Sequence, residues 1–289
     1  MNLPLRPLVT AMAGAAVLGS GGLLWLARDL FASPSNAGGR PSLLEILEEV
    51  RLAPPTLRRP RPAPPPPQQA AWSPPLQRSC PAVDPALRAR LEALRADLPR
   101  TRARIPIHPT NFGPRFRRDA FGNRVDPTPR VVVLHETVYG IGSAINTFRT
   151  PHPRDEDQVS YHTLIGQDGL VVDTLDPALR AFGAGYSAFA GEWVVTNPEV
   201  GGSINNFALH LSLETPLDGE DAEKAHSGYT AEQYDALAVV LTDWMQRYPI
   251  GPEHITTHRA VDLGGARADP RSFDWEQLRQ RMVALGTLC

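Results

Sequence analysis

Thiols are nearly absent from this chain, which has two cysteines in 289 residues. Neither Cys80 nor Cys289 belongs to a Cys-x-x-Cys pair, so a zinc cluster built on thiolates is excluded. In an oxidising compartment the two could form a disulfide that ties the start of a domain to its end, but two unpaired thiols fit the sequence equally well. Lysine is scarcer still, since Lys224 is the only one. The positive charge therefore comes from arginine, which stays protonated and cannot shuttle a proton.

Acidic side chains are scarce in the first part of the chain and basic ones in the second. Residues 1–130 carry 19 arginines against 9 acidic residues, whereas residues 131–289 carry 10 basic and 22 acidic residues. The basic part could lie near an anionic membrane or envelope polymer, or it could be a solvated linker. The acidic part shows no sign of nucleic-acid binding, so no nucleic-acid partner is predicted.

Residues 8–27 form an uncharged run, "LVTAMAGAAVLGSGGLLWLA", preceded by Arg6 and followed by Arg28. About twenty apolar residues can span a bilayer as a helix. The run is therefore either a signal anchor or a signal peptide cut near 35–37. We assign residues 1–33 to this segment and expect export to the periplasm or cell envelope. If the run is not cleaved, it would tether the protein to the inner membrane.

Proline is abundant, with 30 in the chain, and it is concentrated in "APPTLRRPRPAPPPPQQAAWSPP" (53–75). Proline fixes φ and lacks a backbone donor, so this stretch is predicted to be an extended, solvated spacer. We assign residues 34–79 to a Pro/Arg-rich linker, 80–127 to an N-terminal extension of the following domain, and 128–289 to that domain.

The domain itself alternates strand and helix patterns. "VVVLHETV" (131–138) is typical of a buried strand, 159–175 of two strands around a Gly/Asp turn, and "FALHLSLE" (207–214) alternates strictly. Residues 230–249 predict an amphipathic helix that begins with a capping box. The interleaving predicts an α/β fold with a central mixed β-sheet flanked by helices.

Two histidines and an aspartate make a candidate metal site. His135 ends the first predicted strand and should emerge at the carboxyl edge of the sheet, where open α/β sheets commonly place their sites. His258 follows the short strand candidate in "HITTH", and Asp269 lies one loop later. Two imidazoles and a carboxylate suit one Zn²⁺ and leave a position for water.

Five ordered blocks carry a family resemblance: "VVVLHET", "VSYHTLIGQDG", "NNFALHLSLE", "THRAVD" and "ARADPRSFDW". Over about residues 128–283 the chain resembles the zinc-dependent N-acetylmuramoyl-L-alanine amidases of the amidase-2 and peptidoglycan recognition protein superfamily. The resemblance implies Zn²⁺ at His135, His258 and Asp269. It also implies hydrolysis of the amide between N-acetylmuramic acid and the L-alanine of the stem peptide, with peptidoglycan or muropeptides as partners.

The chain departs from that family at three positions. Ser212 stands where many members have a general-base glutamate, and Glu214 lies two residues on. The bacteriophage-type branch uses a tyrosine and a lysine instead; Tyr161 matches the tyrosine and Arg267 stands in the lysine's place. Gly183 replaces a histidine. The candidate catalytic residues are therefore Tyr161, Arg267 and Glu214, with Arg267 stabilising an oxyanion.

Polar residues near the predicted site supply further candidates. Asn206, Ser212 and His210 are candidate substrate-binding residues, although a structural role for His210 and a turn-forming role for Asn206 fit as well. The alternative to an enzyme is a peptidoglycan-binding module of the same fold that has lost useful catalysis. The sequence does not indicate an oligomeric state.

Overall fold

A six-stranded mixed sheet forms the centre of the computed structural model, which describes residues 60–221 and 223–289. The strand order is β1-β5-β4-β9-β3-β10. Neighbours pair in parallel except β4 and β5, which are antiparallel. The strands of this sheet are β1 (Ala103–Arg104), β3 (Val131–Glu136), β4 (Thr163–Ile165), β5 (Val171–Asp173), β9 (Ala208–Leu213) and β10 (Ile255–Thr257).

The described part of the chain also contains two small antiparallel pairs, five α-helices and four 3-10 helices of three residues each. The pairs are β2 (Phe112–Pro114) with β6 (Leu179–Ala181), and β7 (Val194–Asn197) with β8 (Gly201–Ser203). The α-helices are α1 (Pro85–Thr101), α2 (Ile141–Arg149), α3 (Ala231–Arg247), α4 (His258–Val261) and α5 (Trp275–Ala284). The predicted mixed sheet flanked by helices is confirmed.

Helix α3 covers one face of the sheet. Thr230 accepts from the backbone of Gln233, whose side chain accepts from the amide of Thr230, so the predicted capping box is present. The strict alternation in β9 points its leucines towards this helix, where they join a core that also contains α5 and part of α1. Burial of these apolar side chains determines which face of the sheet lies against α3.

Strands β3 and β9 pair in parallel at the centre, with His135 opposite Ser212 and Val133 opposite His210. Residues opposite each other in register point to the same side of a sheet. His135, His210 and Ser212 therefore share the face that α3 does not cover. The same face also carries Val131, Val133 and Ala208, which form a separate hydrophobic cluster.

Residues 60–75 are extended and mostly exposed, as expected of the spacer, but the stretch 60–79 also contacts the domain. They form no helix or strand. The side chains of Gln69 and Trp72 donate to the backbone carbonyls of Ala188 and Glu253, each over 3.0 Å. Proline cannot join a helix or an interior strand, yet an extended chain can still place side chains into grooves. Residues 60–289 belong to one compact unit.

The start and the end of this unit are joined. Leu76 is 1% exposed and belongs to the core beneath α3. Three residues later, the amide of Ser79 donates to the carbonyl of Leu288, and Cys80 forms a disulfide with Cys289. Of the two alternatives that the sequence left open for the cysteines, the structure therefore contains the paired one.

None of the helices within 60–221 and 223–289 is long and apolar enough to cross a membrane. The predicted signal or anchor segment (1–33) and the first part of the predicted linker lie outside the described residues.

Candidate metal centre

His135, His258 and Asp269 converge at the carboxyl ends of β3 and β10. Nδ1 of His135 lies 3.2 Å from Nδ1 of His258 and 3.2 Å from Oδ2 of Asp269. Nδ1 of His258 lies 3.1 Å from the same carboxylate. All three ligand atoms lie within 4.8 Å of one another. The structure thus brings together the three residues predicted as ligands, and two imidazoles with one carboxylate are a donor set that fits Zn²⁺.

The loop between His258 and Asp269 is folded by its own polar groups. The side chain of Asp262 accepts hydrogen bonds from three backbone amides further along the loop, those of Gly264, Ala266 and Arg267. The amide of Arg259 donates to the carbonyl of Asp269 over 3.0 Å. These bonds return the chain to the side of His258, which explains how two ligands eleven positions apart meet.

A second carboxylate, that of Glu136, joins the strand of His135 to the loop of Asp269. It accepts from the amide of Arg271 (2.8 Å), the hydroxyl of Tyr229 (2.7 Å) and Nε2 of His226 (3.2 Å). The guanidinium of Arg271 also donates to it. Because Arg271 follows Asp269 by two positions, this carboxylate holds the ligand loop against β3.

Burial and charge set the protonation states of the candidate ligands. Burial lowers the pKa of His135 to about 4, against the opposing effect of Asp269 and with a further lowering by His258. Burial alone would raise the pKa of Asp269, but the hydrogen bonds from the two histidines outweigh it and hold that pKa below its usual value. A neutral imidazole and an ionised carboxylate are the forms that bind a metal.

Tyr161 and Arg267 both lie near His135. The ring of Tyr161 stacks on that of His135, with centroids 4.3 Å apart and planes inclined by 22°. Burial raises the pKa of Tyr161, so its phenol stays protonated. Arg267 is exposed, and its positive charge lowers the pKa of both His135 and Tyr161. These two candidate catalytic residues therefore accompany the candidate ligands.

Glu214, the third candidate catalytic residue, is bound to backbone amides. Its carboxylate accepts from the amide of Ile141 at the start of α2 (2.7 Å) and from that of Gln167 (2.8 Å). A carboxylate at a helix N-terminus is also favoured by the helix dipole. The geometry shows a structural role for Glu214, and its catalytic role stays a prediction.

The candidate substrate-binding residues Asn206, His210 and Ser212 are fully buried. The side-chain amide of Asn206 accepts a hydrogen bond from the backbone N–H of Phe116 and donates one to its carbonyl oxygen. Nδ1 of His210 lies 3.0 Å from Nε2 of His135, and burial holds the pKa of His210 well below its usual value. Substrate contact by these three residues stays a prediction, since none has open surface in this structure.

The hydrogen bonds that Glu136 receives from Tyr229 and Arg271 were not predicted from the sequence. Arg271 and Tyr229 lie 135 and 93 positions from Glu136. The local sequence offers one signal, a carboxylate at Glu136 directly after His135, and it does not indicate which partners that carboxylate binds.

The family model for N-acetylmuramoyl-L-alanine amidases, Amidase_2, matches residues 124–272, just over half of the chain. The chain belongs to this family. The three candidate ligands, together with Tyr161 and Arg267, fall within the matched span. The resemblance inferred from the sequence is confirmed.

Among curated proteins the chain is similar to the 1,6-anhydro-N-acetylmuramyl-L-alanine amidase AmpD of Citrobacter freundii. The two are 32% identical over 123 residues, which are 42% of this chain and 56% of that protein. AmpD of Salmonella typhimurium (strain SL1344) is 30% identical over 131 residues, 45% of this chain and 60% of that protein. The chain thus spans less than two thirds of the length of either relative.

Among solved structures, a selenomethionine derivative of AmpD aligns over 63% of this chain and 94% of its own. The TM-score is 0.48 and the sequence identity is 24%.

Proposed function

We propose that this protein is a zinc-dependent hydrolase that cleaves the amide between N-acetylmuramic acid and the L-alanine of the stem peptide. One observation carries the proposal. Within the span that matches the amidase family, three residues from a strand, a helix and a loop meet with their donor atoms within 4.8 Å. The names of the similar amidases support the muramyl–L-alanine bond as the target.

His135, His258 and Asp269 would hold the ion. Bound zinc supplies a Lewis acid and makes water nucleophilic at neutral pH. Around it, Tyr161 keeps its proton and can donate a hydrogen bond to the reacting amide. Arg267 carries a permanent charge that can stabilise a developing oxyanion.

The direct test is a digest of purified peptidoglycan and of 1,6-anhydromuropeptides with the full chain, with added zinc or with chelator, read by mass spectrometry. We expect free stem peptides that begin at L-alanine, and their loss with chelator. Cleavage at another bond would reject the assigned substrate. Release of the same peptides in chelator would reject the role of the metal.

A second candidate function is binding of muropeptide without cleavage. It is favoured by Ser212, which lies opposite His135 and offers a hydroxyl at the position where, by the resemblance, many family members have a general-base glutamate. Calorimetry with a soluble muropeptide separates the two functions. Tight binding with zinc present and no released peptide after prolonged incubation would favour the binding module.

Export is part of the proposal. The uncharged run at 8–27 and the disulfide between Cys80 and Cys289 both suit a protein of the periplasm or envelope, where disulfides persist. Fusing residues 1–79 to an enzyme that is active only after export tests it. We expect reporter activity, and its loss when three arginines are inserted into 8–27. Fusion protein that is present in the cytoplasmic fraction and inactive would contradict export.

A further inference from the structure

The two ring nitrogens of His135 have separate partners. Nδ1 faces His258 and Asp269, whereas Nε2 lies 3.0 Å from Nδ1 of His210. When Nδ1 holds a metal, the proton of the neutral ring sits on Nε2. Nε2 then donates, and Nδ1 of His210 must accept.

His210 is itself held in place by His162. The amide of His210 donates to Nδ1 of His162 over 3.0 Å, and Nε2 of His162 lies 3.2 Å from the carbonyl oxygen of Leu179. The first bond makes Nδ1 of His162 an acceptor, so Nε2 carries the proton and donates to Leu179. The two rings are parallel within 5°, with centroids 5.9 Å apart. His162 therefore holds the backbone of His210, and its ring lies beside the ring of His210.

Gly183 leaves the space in which the ring of His210 lies. A Cβ atom at this position would come within 2.4 Å of Nδ1 and 2.5 Å of Cγ of His210. No carbon approaches a ring atom so closely without displacing it, so alanine at 183 would move the ring from the position in which Nδ1 contacts His135.

This arrangement has a cost. If Nδ1 of His210 accepts from His135, Nε2 of His210 carries a proton, and that buried nitrogen has no hydrogen-bond partner among residues 60–221 and 223–289. A buried donor without a partner costs about 1–3 kcal/mol. A side chain kept only for stability would not be expected to carry such a donor.

We propose that His210 is a positioning residue for the metal centre: its Nδ1 accepts from Nε2 of His135 and thereby fixes the ring with Nδ1 towards His258 and Asp269. Gly183 is the second part of the device, because it admits the imidazole. The proposal rests on the proposed function, since it requires that the three residues bind a metal.

The test measures the zinc affinity of the full chain by competition with a chromophoric chelator. His210→Phe keeps a ring but removes the acceptor, and we expect a loss of roughly 10–100-fold, the range for partners that orient a ligand. His210→Asn is the rescue, since its amide oxygen is as many bonds from Cα as Nδ1 is. It should stay within about threefold of the native affinity.

Thermal unfolding of the metal-free variants separates positioning from a structural role. In the metal-free chain His210→Phe removes the buried, unpartnered Nε2 of His210 but leaves Nε2 of His135 without its partner, so the metal-free Tm should stay about the same while zinc affinity falls. Thr256→Val is the matched control. Thr256 is a fully buried residue opposite Val133 on the same face, its hydroxyl also lacks a partner among the described residues, and it should leave zinc affinity unchanged.

A double-mutant cycle tests the link to Gly183. Gly183→Ala alone should lower zinc affinity about as much as His210→Phe. In the His210→Ala background the same change should cost less, because only the 3.0 Å contact with Cβ of His210 remains. The absorption spectrum of the Co²⁺-loaded chain should change in His210→Phe and return to the native spectrum in His210→Asn.

Native zinc affinity in His210→Phe would overturn the positioning role and leave the proposed function intact. An equal loss of zinc affinity in His210→Asn would also overturn it. So would a fall in the metal-free Tm of His210→Phe that accounts for the whole loss of zinc affinity. A native chain that binds no zinc would reject the metal centre itself, and with it both proposals.

Discussion

Both faces of the central sheet are fully buried along β3 and β9, but they bury different kinds of side chain. The face towards α3 consists of hydrocarbon along β3 and β9: Val132, Leu134, Leu209, Leu211 and Leu213. The opposite face of the same strands carries His135, His210 and Ser212, and β10 adds Thr256. Nε2 of His210, Oγ of Ser212 and Oγ1 of Thr256 have no hydrogen-bond partner in the described part of the chain. One face stabilises the fold, and the other gives up stability to carry polar groups next to the site.

On β3 the α3 face ends at an ionised residue, and the contrast holds there too. Glu136 follows Leu134 in the alternation of β3, and its carboxylate receives bonds from Arg271, Tyr229 and His226. On this face a buried charge is fully satisfied. On the other, neutral polar atoms are left without partners.

The largest effect is expected from removing a ligand on the polar face. Asp269→Ala takes away the only carboxylate of the candidate site, so zinc content should fall to near zero. Hydrolysis should drop more than roughly 100-fold, since even partners outside the ligand set account for 10–100-fold. Metal analysis and the peptidoglycan digest measure both. Arg259→Ala, an exposed neighbour in α4, is the control. Native zinc content in Asp269→Ala would remove this residue from the ligand set.

Among these changes, removing the charge of Glu136 should lower the free energy of unfolding the most. Glu136→Gln keeps the shape but leaves Arg271, about nine-tenths buried, with only the exposed carboxylate of Asp221, 3.8 Å away, as a counter-charge. Loss of one partner of a buried pair costs about 3–5 kcal/mol. Urea unfolding of the metal-free chain measures it, with Glu276→Gln, a carboxylate paired on the surface, as control. A change below about 1 kcal/mol, typical of surface pairs, would mean that this carboxylate is not a satisfied buried charge.

The hydrocarbon face should respond to volume alone. Leu211→Ala should lower the free energy of unfolding by about 2–5 kcal/mol because it removes buried methyl groups and leaves a cavity. Leu211→Met, which conserves volume, should cost less than about 1.5 kcal/mol. Zinc affinity of the folded fraction should be native in both variants. Loss of zinc affinity in Leu211→Met would show that the two faces are not independent.

The smallest effect is expected at Ser212. Its hydroxyl has no partner among the described residues, so Ser212→Ala should leave stability unchanged or raise it by about 1 kcal/mol. The KM for a muropeptide should also be native, because the residue has no exposed surface. A raised KM would restore the predicted substrate contact, and a clear loss of stability would show that a buried water satisfies the hydroxyl.

Local patterns predicted those parts of the fold in which a short stretch determines its own structure. The capping box at Thr230 and the alternation in β9 depend on neighbours within a few positions. The capping box is confirmed, and so is the alternation over 208–213, whereas Phe207 packs with Val131 and Val133 instead of with the leucines. The family blocks identified the three candidate ligands because each block is local, and the structure brings those residues together. Residues 60–79 were harder, because proline content excludes helix and interior strand but says nothing about grooves in the domain.

The sequence by itself determined the family, the mixed sheet and which side chains could bind a metal, since periodicity, capping and ordered motifs are written in adjacent residues. The tertiary structure decided which nitrogen of His135 faces its fellow ligands, that His210 stands behind the other, and that Arg271 closes the loop onto Glu136. Such contacts join residues 75 and 135 positions apart. They depend on the register of parallel strands and on the path of a loop, and no local pattern encodes either of these.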